Sequence, residues 1–589
     1  MSRATRVAVV AGCAVAAAAA GAGAIVVVRR VRAARRSAQP PPQRAEPAPR
    51  SSPGPVPLPE PVVDAPLVAR DDDVHDAPAS RARVRRGTRV AVIAAVVIVM
   101  AVFAGVTAVV ALRDSGGSRG RTAPPANPAG STAAAAAAAA PAPFEGWVDP
   151  ASVGRPYYGA TIPGLLTFRG NPTRTYYGQG PMPSAPRPVW RYPGAAMCSV
   201  SEDRGEVSNW CGTGWTGEPA VFEHDGRTWL VFGAYDRAVH FVDAATGEDI
   251  LPPFPTGDLI KGSVTIDPHG FPLVYVGSRD GLFRVLAFDR PQATELWRLS
   301  ANDVSPTKWN DDWDGSSLVL GDYLFEGGEN GQMHVVKLNR GRAPDGTVTV
   351  APSLVWNAPG WDDQLLAEAD NEVSIENSVA ISGDTLYFAN SGGLVQGWDM
   401  SGLRTGTGPP QRVFRFWTGE DTDASVVVDE QGMLYVGSEW EKHRPRAAEV
   451  GQMMKLDPHR ADNPLVWSQK DEGADKSGVW GTPGVSGDLV IFTTFSGRAV
   501  GIDRATGLVR WEKRLPAPLM GSPSIVDGIW LQGDCDGVLH AYDVRNTTVD
   551  PPEIWQVPLG NCIESTPAVW KGRVYVGTRG GFVYGIGDG

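Results

Sequence analysis

The sequence predicts an all-β, eight-bladed β-propeller closed by an N-terminal strand, with two transmembrane helices and disordered linkers ahead of it. Three observations lead there. A unit of about 40–50 residues recurs through the C-terminal two-thirds of the chain. An orphaned copy of the unit's last strand lies ahead of the first unit. Two long uncharged apolar stretches lie near the start.

Each repeat reads as four short strands. An apolar run such as Leu273–Val276 or Arg573–Val576 leads into a glycine turn, Ser278-Arg279-Asp280-Gly281 or Thr578-Arg579-Gly580-Gly581. A further run ends in Asp, and a tight turn follows, as in Asp243-Ala-Ala-Thr246-Gly247 and Asp503-Arg-Ala-Thr506-Gly507. Ser or Thr, often before Pro, opens most units, which begin near Pro219, Ser263, Ser317, Ser378, Ser425, Thr482, Ser522 and Thr566. Most end in a tryptophan: Trp297, Trp356, Trp417, Trp467, Trp511 and Trp555. The first has Ile250, Leu251 and Phe254 there instead, and the last stops with no room for an outer strand. Pro188-Val189-Trp190-Arg191-Tyr192 carries the missing tryptophan, so this early strand is expected to complete the last blade and leave no open edge between first and last. A ring recurring at one place in each repeat serves packing between blades. His240, His334 and His540 share one third-strand position in three blades, which spreads them round the ring and excludes a common metal.

These features resemble the pyrroloquinoline-quinone-like (PQQ-like) repeat, and Phe168-Arg169-Gly170-Asn171-Pro-Thr-Arg174-Thr resembles the approach segment before such propellers. The resemblance covers residues 165–589. It implies the fold; for function it implies either a quinone-dependent dehydrogenase or a non-catalytic propeller of an envelope assembly machine. The dehydrogenases seat their quinone between adjacent cysteines and a tryptophan, beside Ca²⁺. This chain has no adjacent cysteines and no haem attachment sequence, so no quinone is expected and the non-catalytic reading leads.

Ahead of the ring, residues 1–28 and 89–113 are expected as membrane helices. Their apolar cores, Val7–Val28 and Val90–Leu112, match the ~20 residues needed to cross a bilayer. Residues 29–88 carry arginine clusters at both ends (Arg29–Arg36 and Arg81–Arg89) and too little apolar content for a core, which reads as a disordered cytoplasmic loop. Residues 114–164, with eight consecutive alanines at Ala133–Ala140, read as a low-complexity stalk. The ring is then extracytoplasmic, on a plasma-membrane anchor.

Charge agrees with that division. Residues 1–113 hold 16 arginines against seven carboxylates, net +9, so the remainder of a chain of net −11 carries −20. Such a ring excludes nucleic acid and favours cationic or uncharged partners. Four cysteines follow the spans. The turn between strands two and three lies on the same rim as the entry to strand one, so Cys198–Cys211 and Cys535–Cys562 are the expected disulfides.

That rim should carry the site. Just before each first strand stands a residue expected to face the central funnel, among them Glu218, Lys261, Asp314, Glu376, Asp423, Trp480, Met520 and Glu564, with Asp311, Asp312, Glu372, Asn377 and Asp421 flanking. Crowded carboxylates can hold a hard cation such as Ca²⁺, for which Asp314, Glu376 and Asp423 are the candidates, or bind a sugar or cationic ligand. The expected role is a binding or scaffolding module engaging cell-envelope proteins or an envelope ligand. The alternatives are a quinone- or metal-dependent oxidoreductase and a sugar or small-ligand sensor.

Overall fold

The computed structural model describes residues 144–589 except 204, 215, 216, 461, 474 and 475. The two expected spans, the loop 29–88 and the stalk as far as residue 143 lie outside the described residues. Among the described residues no helix is long and apolar enough to cross a membrane.

Eight antiparallel sheets form the ring. Blade 1 is built on Ala220–His224, Arg227–Ala234, Ala238–Asp243 and Asp249–Pro255, and the last complete blade in sequence, blade 7, on Ser524–Val526, Ile529–Gly533, Val538–Asp543 and Glu553–Pro558. Blade 8 takes three strands from the C-terminus and its fourth, Pro186–Tyr192, from the front of the chain, with Pro186 opposite Asp588 and Tyr192 opposite Val583. The closing strand is therefore where the orphaned tryptophan placed it.

Two side-chain devices seat blade on blade. The Ser or Thr that opens a unit accepts the backbone N–H from the equivalent place in the preceding blade. Ser316 N donates to Ser378 Oγ, Ser378 N to Ser425 Oγ, Ser425 N to Thr482 Oγ1 and Thr482 N to Ser522 Oγ, each at 2.9 Å. Thr566 N closes the series on Gly217 O, also at 2.9 Å. A hydroxyl beside a buried amide spares the cost of an unpaired donor, which explains the start signal. The second device is the tryptophan. Trp190 and Trp467 each lay the indole over the Thr-Gly turn of the next blade and donate Nε1–H to Ala244 O and Arg504 O, both 3.1 Å away. Gly247 (φ +75°) and Gly507 (φ +74°) must be glycine twice over: the backbone is left-handed, and a Cβ would stand 2.7 and 2.5 Å from the ring. Where the next blade lacks this turn the ring packs differently, as Trp511 does on Trp530 at 5.6 Å between centroids.

The approach segment plugs the channel. Gly164–Leu165 pairs with blade 1 and Gly178–Gln179 runs parallel to blade 8. Between them Leu166 O accepts from Ile266 N (blade 2), Thr167 Oγ1 donates to Ser317 O (blade 3), Pro172 O accepts from Ile381 N (blade 4) and Thr173 O from Val428 N (blade 5). Arg169 closes the circuit, donating Nη2–H to Pro483 O (blade 6) at 2.9 Å and Nη1–H to Pro523 O (blade 7) at 2.6 Å. Arg169 and Arg174 are fully buried and both take left-handed φ values, +56° and +61°. Such strain persists where hydrogen bonds over-determine the backbone.

Residues 144–163, assigned to the stalk by their composition, are packed. Val148 bridges to Gly383, Thr161 N donates to Pro268 O, and Trp147 and Tyr157 are buried. Gly383 and Pro268 sit in turns between first and second strands, so the chain enters across the face opposite the rim. Composition hid this because the anchors are single aromatic residues in a polar stretch.

Candidate functional site

With the plug as its floor, the funnel is a blind cup open on the rim side. Phe168 of the plug lines its bottom together with Asp423 and Trp480. The carboxylates divide into two lobes rather than one ring.

The first lobe lies at blades 2 to 4. Lys261 Nζ stands 2.7 Å from Asp314 Oδ2 and 3.6 Å from Glu329 Oε1. Ligand atoms of Asp314, Glu329 and Glu376 lie within 4.8 Å of one another, a triangle that could hold a metal ion. Arg279 Nε pairs with Asp312 Oδ2 at 2.6 Å, and Asn310 Nδ2 donates to Glu329 Oε2 at 2.9 Å. Burial and the neighbouring acids push the Glu329 carboxyl well up, and burial with Asp314 pushes Asp312 to about 7. Burial works against the Lys261 charge, yet Asp314, Glu329 and Glu376 outweigh it and raise its pKa.

The second lobe lies at blades 4 and 5. Ser391 Oγ donates to Glu376 Oε1 at 3.2 Å and reaches Asp423 Oδ1 at 3.4 Å, so Glu376 faces both lobes. Burial raises Asp421 to about 7, and burial with Asp421 raises Asp423 and Glu439 well above the carboxylate range. Lys442 Nζ bonds Glu372 Oε2 at 2.5 Å and stands 3.7 Å from Asp421 Oδ2.

The other expected funnel residues have internal work. Glu218 is buried inside the channel and accepts the Arg169 N–H at 2.5 Å; burial lifts it to about 7. It holds the plug. Asn377 spans blades 4 and 5, donating to Ala389 O and Thr422 O at 2.8 and 3.0 Å. Glu564 pairs with Arg579 at 3.1 Å, and that guanidinium lies over Trp210 and Tyr235. Trp480 stacks on Phe495 at 4.7 Å and donates Nε1–H to Ser477 O. Of the expected trio, Asp314 and Glu376 stand together with Glu329, and Asp423 lies in the other lobe.

Both disulfides form as paired, Cys198–Cys211 and Cys535–Cys562. The first ties the open end of a hairpin, Cys198–Asp203 with Glu206–Cys211, that stands on the rim. One face of the hairpin lies on the ring, Ser199 Oγ donating to Tyr235 O and Trp210 packing edge-on against Tyr235. The other face exposes Val200 and Val207, 53% and 64% accessible.

Sequence reasoning missed Glu329, Glu439, Arg279, Lys442 and Trp309. Glu329 and Arg279 sit in turns between second and third strands, which face the rim as directly as the strand entries do. Applying the rule used for Cys535 to every such turn finds them.

Fold and site together define a plugged, acid-rimmed propeller. Residues 451–589 match the family described as outer membrane protein assembly factor BamB. No curated protein matches the sequence. Among solved structures, BamB from Moraxella catarrhalis is 17% identical over 69% of this chain and 99% of its own, with a TM-score of 0.35. The computationally designed Ika8 protein is 13% identical over 63% and 96%, TM-score 0.45, and Sqt1 of Saccharomyces cerevisiae 10% identical over 61% and 92%, TM-score 0.43.

Proposed function

We propose that this chain is a membrane-anchored, extracytoplasmic, non-catalytic propeller that binds and positions protein partners in the cell envelope through its acidic rim. The observation that carries the reading is the one-sided cup. Its floor is sealed by the plug, residues 144–163 cross the opposite face, and its acids stand in two lobes on the rim side. A closed polar cup with few apolar walls suits a charged protein surface better than a buried small molecule. The match of residues 451–589 to an assembly-factor family supports the same reading.

The test is chemical crosslinking of the intact protein in its native membrane, with identification of what is captured. A reproducible protein partner, lost when rim acids of both lobes are neutralised, is the expected result. Capture of no partner, with a chromophore co-purifying, would replace the reading by an oxidoreductase.

A further inference from the structure

The hairpin on the rim is a two-stranded ribbon with unlike edges. Gly212 N donates to Met197 O at 2.8 Å, and from there the cross-strand pairs alternate. Ser199 with Trp210 and Ser201 with Ser208 exchange ladder bonds, whereas Cys198 with Cys211, Val200 with Asn209 and Glu202 with Val207 turn their N–H and C=O groups outward. On the first strand, Cys198–Asp203, the ring takes up outward carbonyls: Arg237 of blade 1 donates to Val200 O and Arg279 of blade 2 to Glu202 O. On the second, Glu206–Cys211, Arg579 of blade 8 donates to Cys211 O at 3.1 Å. Past that bond no described residue meets the outward backbone groups of Val207 and Asn209, and Glu206, Val207, Ser208 and Asn209 are all exposed. Natural sheets blunt such an edge with proline, lysine or a bulge. Glu206–Cys211 has no proline or lysine, and its register runs unbroken.

We propose that this open edge takes one more strand: an extended segment of a protein partner that pairs antiparallel with Glu206–Asn209 and alternates β-branched with basic residues. The proposal deepens the scaffold reading and rests on it for the existence of a partner. Main-chain bonds to the outward groups of Val207 and Asn209 hold the added strand, and side chains select it. Val207 and Asn209 share the exposed face with Val200 and Glu202, while Glu206 and Ser208 point to the other face. A residue opposite Val207 exchanges both backbone bonds with it and lies on its apolar face, which suits valine or isoleucine. The residue opposite Glu206 stands in an open pair, where side chains come closest, so a lysine or arginine there meets the carboxylate. Charge also chooses the occupant. The chain is −11 overall and +9 up to residue 113, which leaves −20 for the rest. A second copy would bring one acidic ring toward another, whereas a basic segment is drawn in. The edge is short, and it serves as one contact within a wider interface on the rim.

The probe is a blocked heptapeptide alternating lysine and valine, titrated calorimetrically into the full chain in detergent, with hydrogen exchange over residues 206–211 as the second reading. It should bind, slow exchange at the Val207 and Asn209 amides, and weaken with added salt, while a glutamate–valine peptide of the same length should not bind. Backbone methylation reads the register. The valine amides face Val207, so methylating them should weaken binding by about tenfold or more, and methylating the lysine amides should leave it within about twofold. Val207→Pro removes an outward donor and leaves the ladder bonds of the hairpin in place, so it should weaken the parent peptide by a similar factor. Glu206→Gln should weaken the lysine peptide and flatten its salt dependence. The Cys198–Cys211 disulfide keeps the hairpin closed in both variants, and unchanged exchange at Ser208 and Trp210 checks it. Binding indifferent to which amides are methylated, binding without protection at Val207 and Asn209, or full binding by Val207→Pro overturns the proposal. A dimer of the full chain that Val207→Pro dissolves would put a second copy on the edge and overturn it as well. Crosslinking separates the two readings. A partner captured equally by Val207→Pro keeps the scaffold and discards the edge as its dock, and no partner captured by the parent chain discards the scaffold while the titration still decides the edge.

Discussion

Replacing Arg174 should loosen the ring from its centre. Its guanidinium donates to Val379 O at 2.8 Å, Phe168 O at 2.7 Å, Ser316 O at 2.8 Å and Thr167 Oγ1 at 3.0 Å, tying the plug to itself and to blades 3 and 4. Arg174→Met keeps the volume and strips the donors. Each buried acceptor left unpaired costs about 1–3 kcal/mol, partly offset because a desolvated charge is also removed, so a net loss on the order of 3–5 kcal/mol is expected. At ~2.1 cal/mol/K per residue the ring unfolds with an entropy of ~0.9 kcal/mol/K, and the melt should fall by about 4 °C. Scanning calorimetry, with tryptophan emission as a second probe, reads this directly. Hydrogen exchange adds location: the amides of Ile381 and Val428, which donate to plug carbonyls, should open sooner than those of blade 7 strands. A melt within 1 °C of the parent, with unchanged exchange at both amides, would refute the claim that the plug is keyed by this residue.

Three further outcomes follow from the same geometry. Asp312 and Asp421 have folded pKa values near 7, above the unfolded value, so the stability they contribute is complete below about pH 4 and is lost as pH rises through 7. The ring should melt higher at about pH 5.5 than at about pH 8, and Asp421→Asn should flatten that slope. Gly507→Ala should lower the melt more than Gly487→Ala. Both sites have positive φ, costing ~1–2 kcal/mol for a non-glycine residue, but only at Gly507 does the new methyl meet Trp467. For the proposed anchor, a membrane-impermeant thiol label on intact cells should reach a cysteine placed at Ser131 and miss one placed at Ser52, because the proposed topology puts the arginine-flanked loop inside. Labelling at Ser52 would remove the first span.

The periodic parts of this protein were legible from the chain alone. Eight start signals, the glycine turns and the displaced Trp190 strand each repeat a local rule, and local rules survive into the fold. What escaped was set by position relative to the axis. Arg169 and Arg174 look like surface charges in a polar segment, and only the closed ring shows that eight inward-facing first strands surround them with carbonyls. Glu218 and Asp423 occupy equivalent places in their repeats, yet Glu218 accepts the Arg169 N–H of the plug while Asp423 stands in the cup beside Ser391. The pairing of Lys261 with Asp314 depends on the distance between neighbouring blades, which no repeat encodes. Both disulfides were legible because rim and turn geometry alone brings their sulfurs together.

The strand that completes blade 8 is made about four hundred residues before its partners, Pro186 meeting Asp588. During synthesis it must wait. Blades 1 to 7 can form as they emerge, since each pairs strands that are neighbours in the chain. The plug and the closing strand find their last contacts only when the final strand is released. Contacts of such long range make for slow completion, and an unpaired edge invites wrong pairing meanwhile. Truncation within the last strand should therefore act on the whole ring rather than on one blade, and a chain stalled a few residues short would expose both ends of an open circle. The finished molecule is a lock whose two halves are separated by about two thirds of its translation.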